Sequence, residues 1–170
     1  MRDGTVPRAA FDTWLVQDAH FVGDLLQFQA LLLARAPRPA QAVLAAGAVA
    51  LVAELSWFEA LAARRGLDLD RPRLPVTEAY GELLDRLDAA PAPAALTALW
   101  AIERVYLDAW TTASPGAPEY AEYVAHWTVP EFARYVSDLA AVADLLGPAD
   151  DALVLEVLAA EESFWDMVAG

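Results

Sequence analysis

Four acidic residues occupy positions where the helical pattern of this sequence otherwise places apolar side chains. They are Asp18, Glu54, Glu103 and Glu161, one in each of four predicted helices. In each case the residues three and four positions away are mostly Leu, Val, Phe, Trp or Tyr, so the acid shares their helical face. Asp18, for example, precedes Phe21 by three residues and Val22 by four. The pattern therefore directs all four carboxyl groups towards the interior of the folded chain.

Burial would make these carboxyl groups chemically active. An isolated carboxylate is costly to bury, so such a group is paired, protonated or part of a site. A carboxyl group with a raised pKa can act as a general acid or base near neutral pH. Alternatively, some of the four pair with an interior arginine such as Arg104, or reach the edge of their helix. Four together favour a polar pocket in a helical core, whereas Glu162 has fewer apolar neighbours and is expected to face solvent.

Aromatic side chains accompany the acids. Tyr80 shares a helical face with two leucines, Tyr123 shares one with Trp127, and Phe21 lies beside Asp18. Either tyrosine hydroxyl could equally bond a backbone carbonyl. A pocket with aromatic walls and convergent carboxyl groups suits a flat ligand rich in hydrogen-bonding groups. An aminopyrimidine, with its ring nitrogens and exocyclic amine, is such a ligand.

Residue types that are absent exclude several other chemistries. Without cysteine, the chain has no disulfide, thiolate zinc site or cysteine nucleophile. All 11 basic residues are arginines, so a lysine Schiff base is excluded. His20 and His126 are too few for a metal site on their own, and we expect both to be surface or hydrogen-bonded residues. We therefore predict no metal and no cofactor.

Charge and hydropathy limit the partners and the location of the protein. A formal net charge of −14 would repel a nucleic-acid backbone and an anionic membrane surface. The most apolar run, 42–53, is shorter than the roughly 20 residues of a membrane span, so we expect a buried helix there. The N-terminus lacks the apolar segment of a signal peptide. These features predict a soluble, cytoplasmic protein.

Helical periodicity runs through the chain, and no segment alternates as a strand does. Prolines and glycines divide it into about seven helices. We expect them at 8–36, 39–65, 76–89, 94–112, from Pro118 to before Pro130, at 130–146 and at 150–168. A chain of 170 residues fits one domain. The prediction is a single all-α domain over residues 1–170, folded as an irregular multi-helix bundle.

Six segments, in order, resemble the TenA/thiaminase II family. They are RDGTVPRAAFDTWLVQDAHFV, AELSWFE, EAYGELL, ALWAIERVYLDAW, EYVAHWTVPEFARYV and EESFWDM. Each segment alone is weakly specific, but together they cover nearly the whole chain. The resemblance implies a haem-oxygenase-like helical fold, which agrees with the bundle predicted from periodicity.

The resemblance also implies roles for individual residues. Asp18 matches the residue that grips an aminopyrimidine, and Tyr80 and Tyr123 match residues that line the pocket. Glu161 matches the family's catalytic glutamate, which donates and accepts the proton at the reacting carbon. Phe21 and Trp127 are expected to contribute to the aromatic wall of the same pocket.

One departure from the family pattern changes the expected chemistry. The cysteine nucleophile of other members falls at about Ile102 here. The chain therefore resembles the cysteine-less TenA-E branch, in which Glu103 and Glu54 are candidates to replace it. That branch is associated with salvage of damaged thiamin, hydrolysing formylaminomethyl- or aminomethyl-pyrimidine to the amine or the alcohol. Turnover of intact thiamin is not expected.

The resemblance bears on assembly as well, and two other functions stay open. Family members form dimers or tetramers, so a homo-oligomer is expected. They also carry a helix before the segment matching Arg2, so either the true start lies upstream or the protein is a shortened form, in which loss of that helix would expose an apolar strip. One alternative function is a non-catalytic pyrimidine-binding or scaffold protein. The other is a carboxylate-bridged dimetal protein, although the Glu-x-x-His pairs of such sites do not occur in this sequence.

Overall fold

Seven α-helices and no β-strands make up the residues described by the computed structural model, which are 1–147 and 151–169. The helices are α1 (Arg8–Arg35), α2 (Arg38–Arg65), α3 (Pro75–Ala89), α4 (Ala92–Ala113), α5 (Ala121–Trp127), α6 (Pro130–Leu146) and α7 (Asp151–Ala169). The predicted all-α class is confirmed. Helix α5 begins at Ala121 rather than at Pro118, because residues 117–120 form a turn closed by a Tyr120 N–H to Ala117 carbonyl bond of 2.8 Å. The predicted start of the last helix, Asp150, lies outside the described residues.

Prolines and a glycine determine most of the helix boundaries. Pro75 and Pro130 lie in the first turn of α3 and α6. Backbone N–H groups in the first turn have no acceptor within the helix, so proline, which lacks an N–H, costs no hydrogen bond there. Gly66 ends α2 in the left-handed conformation with φ 68°, which glycine adopts without steric cost. The boundaries predicted from these residue types therefore agree closely with the structure.

Helix α1 lies at the centre of an aromatic core. Six apolar residues of α1, spaced three and four positions apart, are all buried: Phe11, Trp14, Leu15, Phe21, Val22 and Leu25. Around the Trp14 ring stand Trp110 of α4, Trp127 of α5 and Trp165 of α7, with ring centroids 5.1–5.9 Å away. Because Asp18 follows Trp14 by one helical turn, this packing carries its carboxyl group into the middle of the bundle.

Helix α2 departs from the sequence prediction. The run 42–53 was expected to be buried, but within it Val49 and Val52 are 71% and 54% exposed, and the buried residues are Leu44 and Gly47. The prediction was wrong because alanine occurs on every face of this run, so its periodicity does not distinguish inside from outside. By length and composition α2 could also cross a membrane, and 17% of its most apolar window is buried. In the bundle, α2 packs against α1 and α6.

Candidate active site

A cavity of about 500 Å³ lies between α1, α2, α4, α5 and α6. Most of its wall is apolar, and its polar residues are Glu54, Glu103, Tyr106, His126, Glu131 and Tyr135. A largely apolar cavity of this size with a few polar groups is typical of a small-molecule site. The predicted site residues Phe21, Glu54, Glu103 and Trp127 all lie on this wall.

Glu103 is the buried acid of the cavity wall, and it has no hydrogen-bond partner among the described residues. Its side chain comes from α4 and the residue is 7% exposed. Burial is the main cause that raises its pKa, from 4.5 to about 8, and the nearby charges of Glu161 and Glu54 add to the effect. Its carboxyl group is therefore available to a ligand and able to exchange a proton near neutral pH.

Glu54 lies on the same wall, but its carboxylate is already engaged. His126 Nε2 lies 2.9 Å from its Oε2, and Trp127 Nε1 donates to its Oε1 at 2.8 Å. The His126 ring is also stacked on Trp57, with ring centroids 4.0 Å apart. Glu54 of α2 thus holds two consecutive residues of α5 in the cavity wall. His126 is hydrogen-bonded, as expected, and so is His20, whose Nε2 lies 2.9 Å from the Arg71 carbonyl.

Asp18 is completely buried, and one side chain, that of Tyr106, lies between it and the cavity. Tyr106, which lines the cavity, donates its hydroxyl proton to Asp18 Oδ2 at 2.9 Å. Asp18 Oδ1 is a buried oxygen without a partner among the described residues. Burial, opposed by the Tyr106 hydrogen bond and reinforced by the charges of Glu54 and Glu161, raises the pKa of Asp18 well above its usual range.

Glu161 is also buried behind the cavity wall. The Tyr80 hydroxyl donates to its Oε1, and Trp165 Nε1 donates to its Oε2 at 3.0 Å. Burial raises its pKa to about 7, against the lowering effect of these two hydrogen bonds. The Tyr80 ring lies 4.6 Å from that of Phe21, which faces the cavity. Tyr80 therefore contacts the predicted catalytic glutamate, and Phe21 separates this pair from the cavity.

Tyr123 and Arg104 lie elsewhere. The Tyr123 hydroxyl accepts a hydrogen bond from Arg65, which also pairs with Asp12, and Tyr123 is not among the residues of the cavity wall. Arg104 is half exposed and pairs with Asp108 at 2.8 Å, so the alternative in which it neutralises an interior acid is wrong. The structure thus places Glu54 and Glu103 on the cavity wall and Asp18 and Glu161 behind it, close enough for their charges to act on one another. Glu162 is exposed as predicted.

The buried acids make the stability of the protein depend on pH. Between pH 4.5 and about 8 the folded chain holds a proton on Glu103 that the unfolded chain has released, so the free energy of unfolding should fall as pH rises through this range. In Glu103→Gln we expect the decrease in the free energy of unfolding over this pH range to be smaller by on the order of a few kcal/mol, since one pKa unit corresponds to about 1.4 kcal/mol. Urea denaturation at pH 5, 6.5 and 8 measures this. An equal pH dependence in both proteins would contradict it, and Glu59→Gln on the exposed side of α2 is the control.

Comparison with known proteins places the whole chain in one family. Residues 1–170 match the model of the TENA/THI-4/PQQC family. A soybean (Glycine max) protein named "Probable bifunctional TENA-E protein" is 33% identical over 190 residues, which cover 100% of this chain and 83% of that protein.

Two solved structures have a similar fold. A TenA homologue from Pyrococcus furiosus superposes with a TM-score of 0.89 at 28% identity, covering 96% of this chain and 85% of the other. A TenA family transcription regulator from Silicibacter sp. TM1040 has a TM-score of 0.84 at 18% identity, covering 96% and 83%. The family resemblance inferred from six sequence segments is confirmed: the chain belongs to the TENA/THI-4/PQQC family.

Proposed function

We propose that this protein is a cysteine-independent aminopyrimidine hydrolase of thiamin salvage, which converts formylaminomethyl- or aminomethyl-pyrimidine to the amine or the alcohol. The observation that carries the proposal is the pair of buried acids, Glu103 and Glu161, whose pKa values are raised to about 8 and about 7 beside an aromatic cavity. Between these values the pair holds about one proton. One carboxyl group can then donate a proton while the other accepts one.

The higher pKa of Glu103 places the shared proton of the resting pair on Glu103, so the proposed reaction begins with transfer of that proton to Glu161, at a cost of about one pKa unit. Glu103 then takes a proton from water as the water oxygen attacks the carbon bound to nitrogen. The C–N bond breaks, and Glu161 gives its proton to the departing nitrogen. For a formylated substrate the products are formate and the amine, and for the aminomethyl compound they are ammonia and the alcohol. The reaction leaves Glu103 protonated and Glu161 ionised, which is again the resting state of the pair.

Glu103 is better suited than Glu54 to activate water. Both Glu54 oxygens lie within hydrogen-bonding distance of donors on α5, whereas Glu103 has no partner among the described residues. A general base needs a free lone pair within hydrogen-bond reach of the water. We therefore assign Glu54 to positioning His126 and Trp127 in the cavity wall.

The pyrimidine ring would lie between Phe21, Tyr106 and Trp127, which offer flat apolar faces for stacking. Protonated Asp18 would then donate a hydrogen bond to a ring nitrogen. Because Asp18 and Glu161 are separated from the cavity by Tyr106 and Phe21, the proposal requires these rings to turn aside when the ligand enters. The carboxyl groups on the otherwise apolar cavity wall suit a ligand that carries amino groups.

Support for a reaction in thiamin metabolism also comes from the relatives. The soybean protein bears the name TENA-E, and the TenA-E branch is the one that the sequence resembles. The dimetal alternative has no corresponding support, since no group of three or more His, Asp or Glu side chains that could hold a metal ion occurs among the described residues.

The test is incubation with formylaminomethyl-pyrimidine, aminomethyl-pyrimidine and thiamin, followed by chromatography of the products. Release of the amine or the alcohol from the pyrimidines, with thiamin unchanged, is the expected result. Binding of a pyrimidine without any product would overturn the hydrolase proposal in favour of the non-catalytic alternative.

We also propose that the protein is a cytoplasmic homo-oligomer. The uncovered apolar face of α2, with Val49 and Val52 more than half exposed, is an unusual surface for a monomer in water. A dimer or tetramer would bury it. Light scattering on purified protein measures the mass, and a monomer at micromolar concentration would refute this proposal.

A further inference from the structure

Along α2 the cavity extends well beyond Glu54. Helices α1 and α2 are antiparallel, since they are joined by a link of two residues, and Arg65 at the end of α2 pairs with Asp12 near the start of α1. Along α2 the cavity wall runs from Glu54 back to Gly47. Seven residues of helix correspond to about 10 Å. The two ends of the cavity are therefore about two helical turns apart.

A second polar group stands at the Gly47 end. Tyr135 of α6 lines the cavity there, and its hydroxyl lies 3.1 Å from Gln29 Oε1 of α1. Gln29 is completely buried, and its Nε2 donates to the Leu44 carbonyl of α2 at 2.7 Å. Three helices thus meet at one chain of hydrogen bonds.

This chain determines which way the Tyr135 hydroxyl points. A backbone carbonyl can only accept, so the Gln29 nitrogen must face Leu44 and the Gln29 oxygen must face Tyr135. The hydroxyl proton of Tyr135 is then committed to Gln29. No described residue donates to the Tyr135 oxygen, whose lone pairs remain available. Towards a ligand, Tyr135 can therefore act only as an acceptor.

Gly47 permits this close arrangement. A Cβ atom at residue 47 would lie 2.2 Å from Gln29 Nε2 and 2.3 Å from the Tyr135 hydroxyl oxygen, far inside van der Waals contact. Glycine inside a helix is unfavourable relative to alanine. Its presence here allows the backbone of α2 to approach both polar groups.

Between the two ends the wall is apolar, formed by Val22, Leu25, Ala50, Leu51, Ile102 and Phe132. A cavity of about 500 Å³ falls within the size range that accepts drug-sized ligands. A single aminopyrimidine ring is smaller than such ligands. The remaining space accepts an apolar extension that reaches Tyr135.

We propose that the preferred substrate is an aminomethyl-pyrimidine with a substituent on its aminomethyl nitrogen. The substituent has an apolar spacer and ends in a hydrogen-bond donor, which the Tyr135 oxygen accepts. This inference rests on the proposed function, since it places the pyrimidine ring at the acidic end. It makes Tyr135 a specificity-determining residue, Gln29 the residue that orients it, and Gly47 the residue that gives both of them room.

The test uses matched N-acyl aminomethyl-pyrimidines whose acyl chains end in a hydroxyl, a methyl or a methoxy group. The wild-type protein should bind and turn over the hydroxyl compound better than its methyl counterpart by roughly three- to tenfold, as one hydrogen bond provides. In Tyr135→Phe this preference should disappear through KM. In Gln29→Met the freed Tyr135 proton should improve binding of the methoxy compound.

Calorimetric binding accompanies the rates, and Tyr120→Phe, whose hydroxyl bonds the Val6 carbonyl outside the cavity, is the matched control. Equal affinities of the wild type for the hydroxyl and methyl compounds would overturn the inference, as would an unchanged preference in Tyr135→Phe. If either of these results is obtained and the formyl compound is still hydrolysed, the proposed function stands, but recognition of a substituent by Tyr135 is refuted. If no pyrimidine binds or reacts, the proposed function fails and this inference falls with it.

Discussion

Glu161→Gln should lower the rate of hydrolysis of formylaminomethyl-pyrimidine by about 10²- to 10⁴-fold, the usual contribution of a positioned proton donor. Glutamine has nearly the same shape and can still accept the Tyr80 hydrogen bond, but it has no proton to give to the departing nitrogen. The affinity for the pyrimidine should therefore change little. Single-turnover rates and calorimetric binding, measured on the same preparation, separate the two effects.

Glu162→Gln provides a matched control, because Glu162 is the adjacent residue on α7 and is exposed. It should leave both rate and affinity unchanged. Thermal unfolding of both variants checks that the core around Trp165, which donates to Glu161, is intact. A folded Glu161→Gln protein with the wild-type rate would remove Glu161 from the mechanism.

Glu103→Gln should have a comparable effect on the rate and a characteristic effect on its pH dependence. The pKa values of about 7 for Glu161 and about 8 for Glu103 predict a narrow, bell-shaped profile of kcat/KM, with its maximum between them. Only the state with one proton shared by the pair is active, and both limbs belong to the coupled pair. Removing one carboxyl group should lower the maximum by about 10²- to 10⁴-fold and leave a profile with a single limb.

The measurement is kcat/KM at intervals from pH 5.5 to pH 9.5 for the wild type, Glu103→Gln and Glu59→Gln. Glu59 is an exposed glutamate of α2, so its replacement should reproduce the wild-type profile. Two limbs at the wild-type positions in Glu103→Gln would show that Glu103 is not one of the titrating groups. Glu54 would then be the next candidate for the base.

Much of the fold could be predicted from local sequence. Helix ends follow from proline and glycine, whose backbone preferences act at the residue itself, as at Pro75, Pro130 and Gly66. The burial of Asp18, Glu103 and Glu161 follows from their large apolar neighbours three and four residues away, because a helix face is a local property of the chain. The same reasoning failed for residues 42–53, where alanine occurs on every face and gives no contrast.

The site itself depends on contacts between residues far apart in sequence. Tyr106 reaches Asp18 across 88 residues, Tyr80 reaches Glu161 across 81, and His126 reaches Glu54 across 72. Helical periodicity could not identify the acceptor of the Tyr106 hydroxyl, because that acceptor lies on another helix. Only a signal that links distant positions could have found the Gln29–Tyr135 pair or the role of Gly47.

By itself, the sequence determined the helical class, most helix boundaries, the family and the inward direction of three acids. These properties depend on residues within one or two turns of each other, or on the order of segments along the chain. Only the tertiary structure decided that Glu103 is free while Glu54 is engaged, that Asp18 and Glu161 lie behind the cavity wall, and that Tyr135 faces the cavity as an acceptor. The reason is physical: a hydrogen bond requires two groups at about 3 Å, and the packing of whole helices determines which groups come that close.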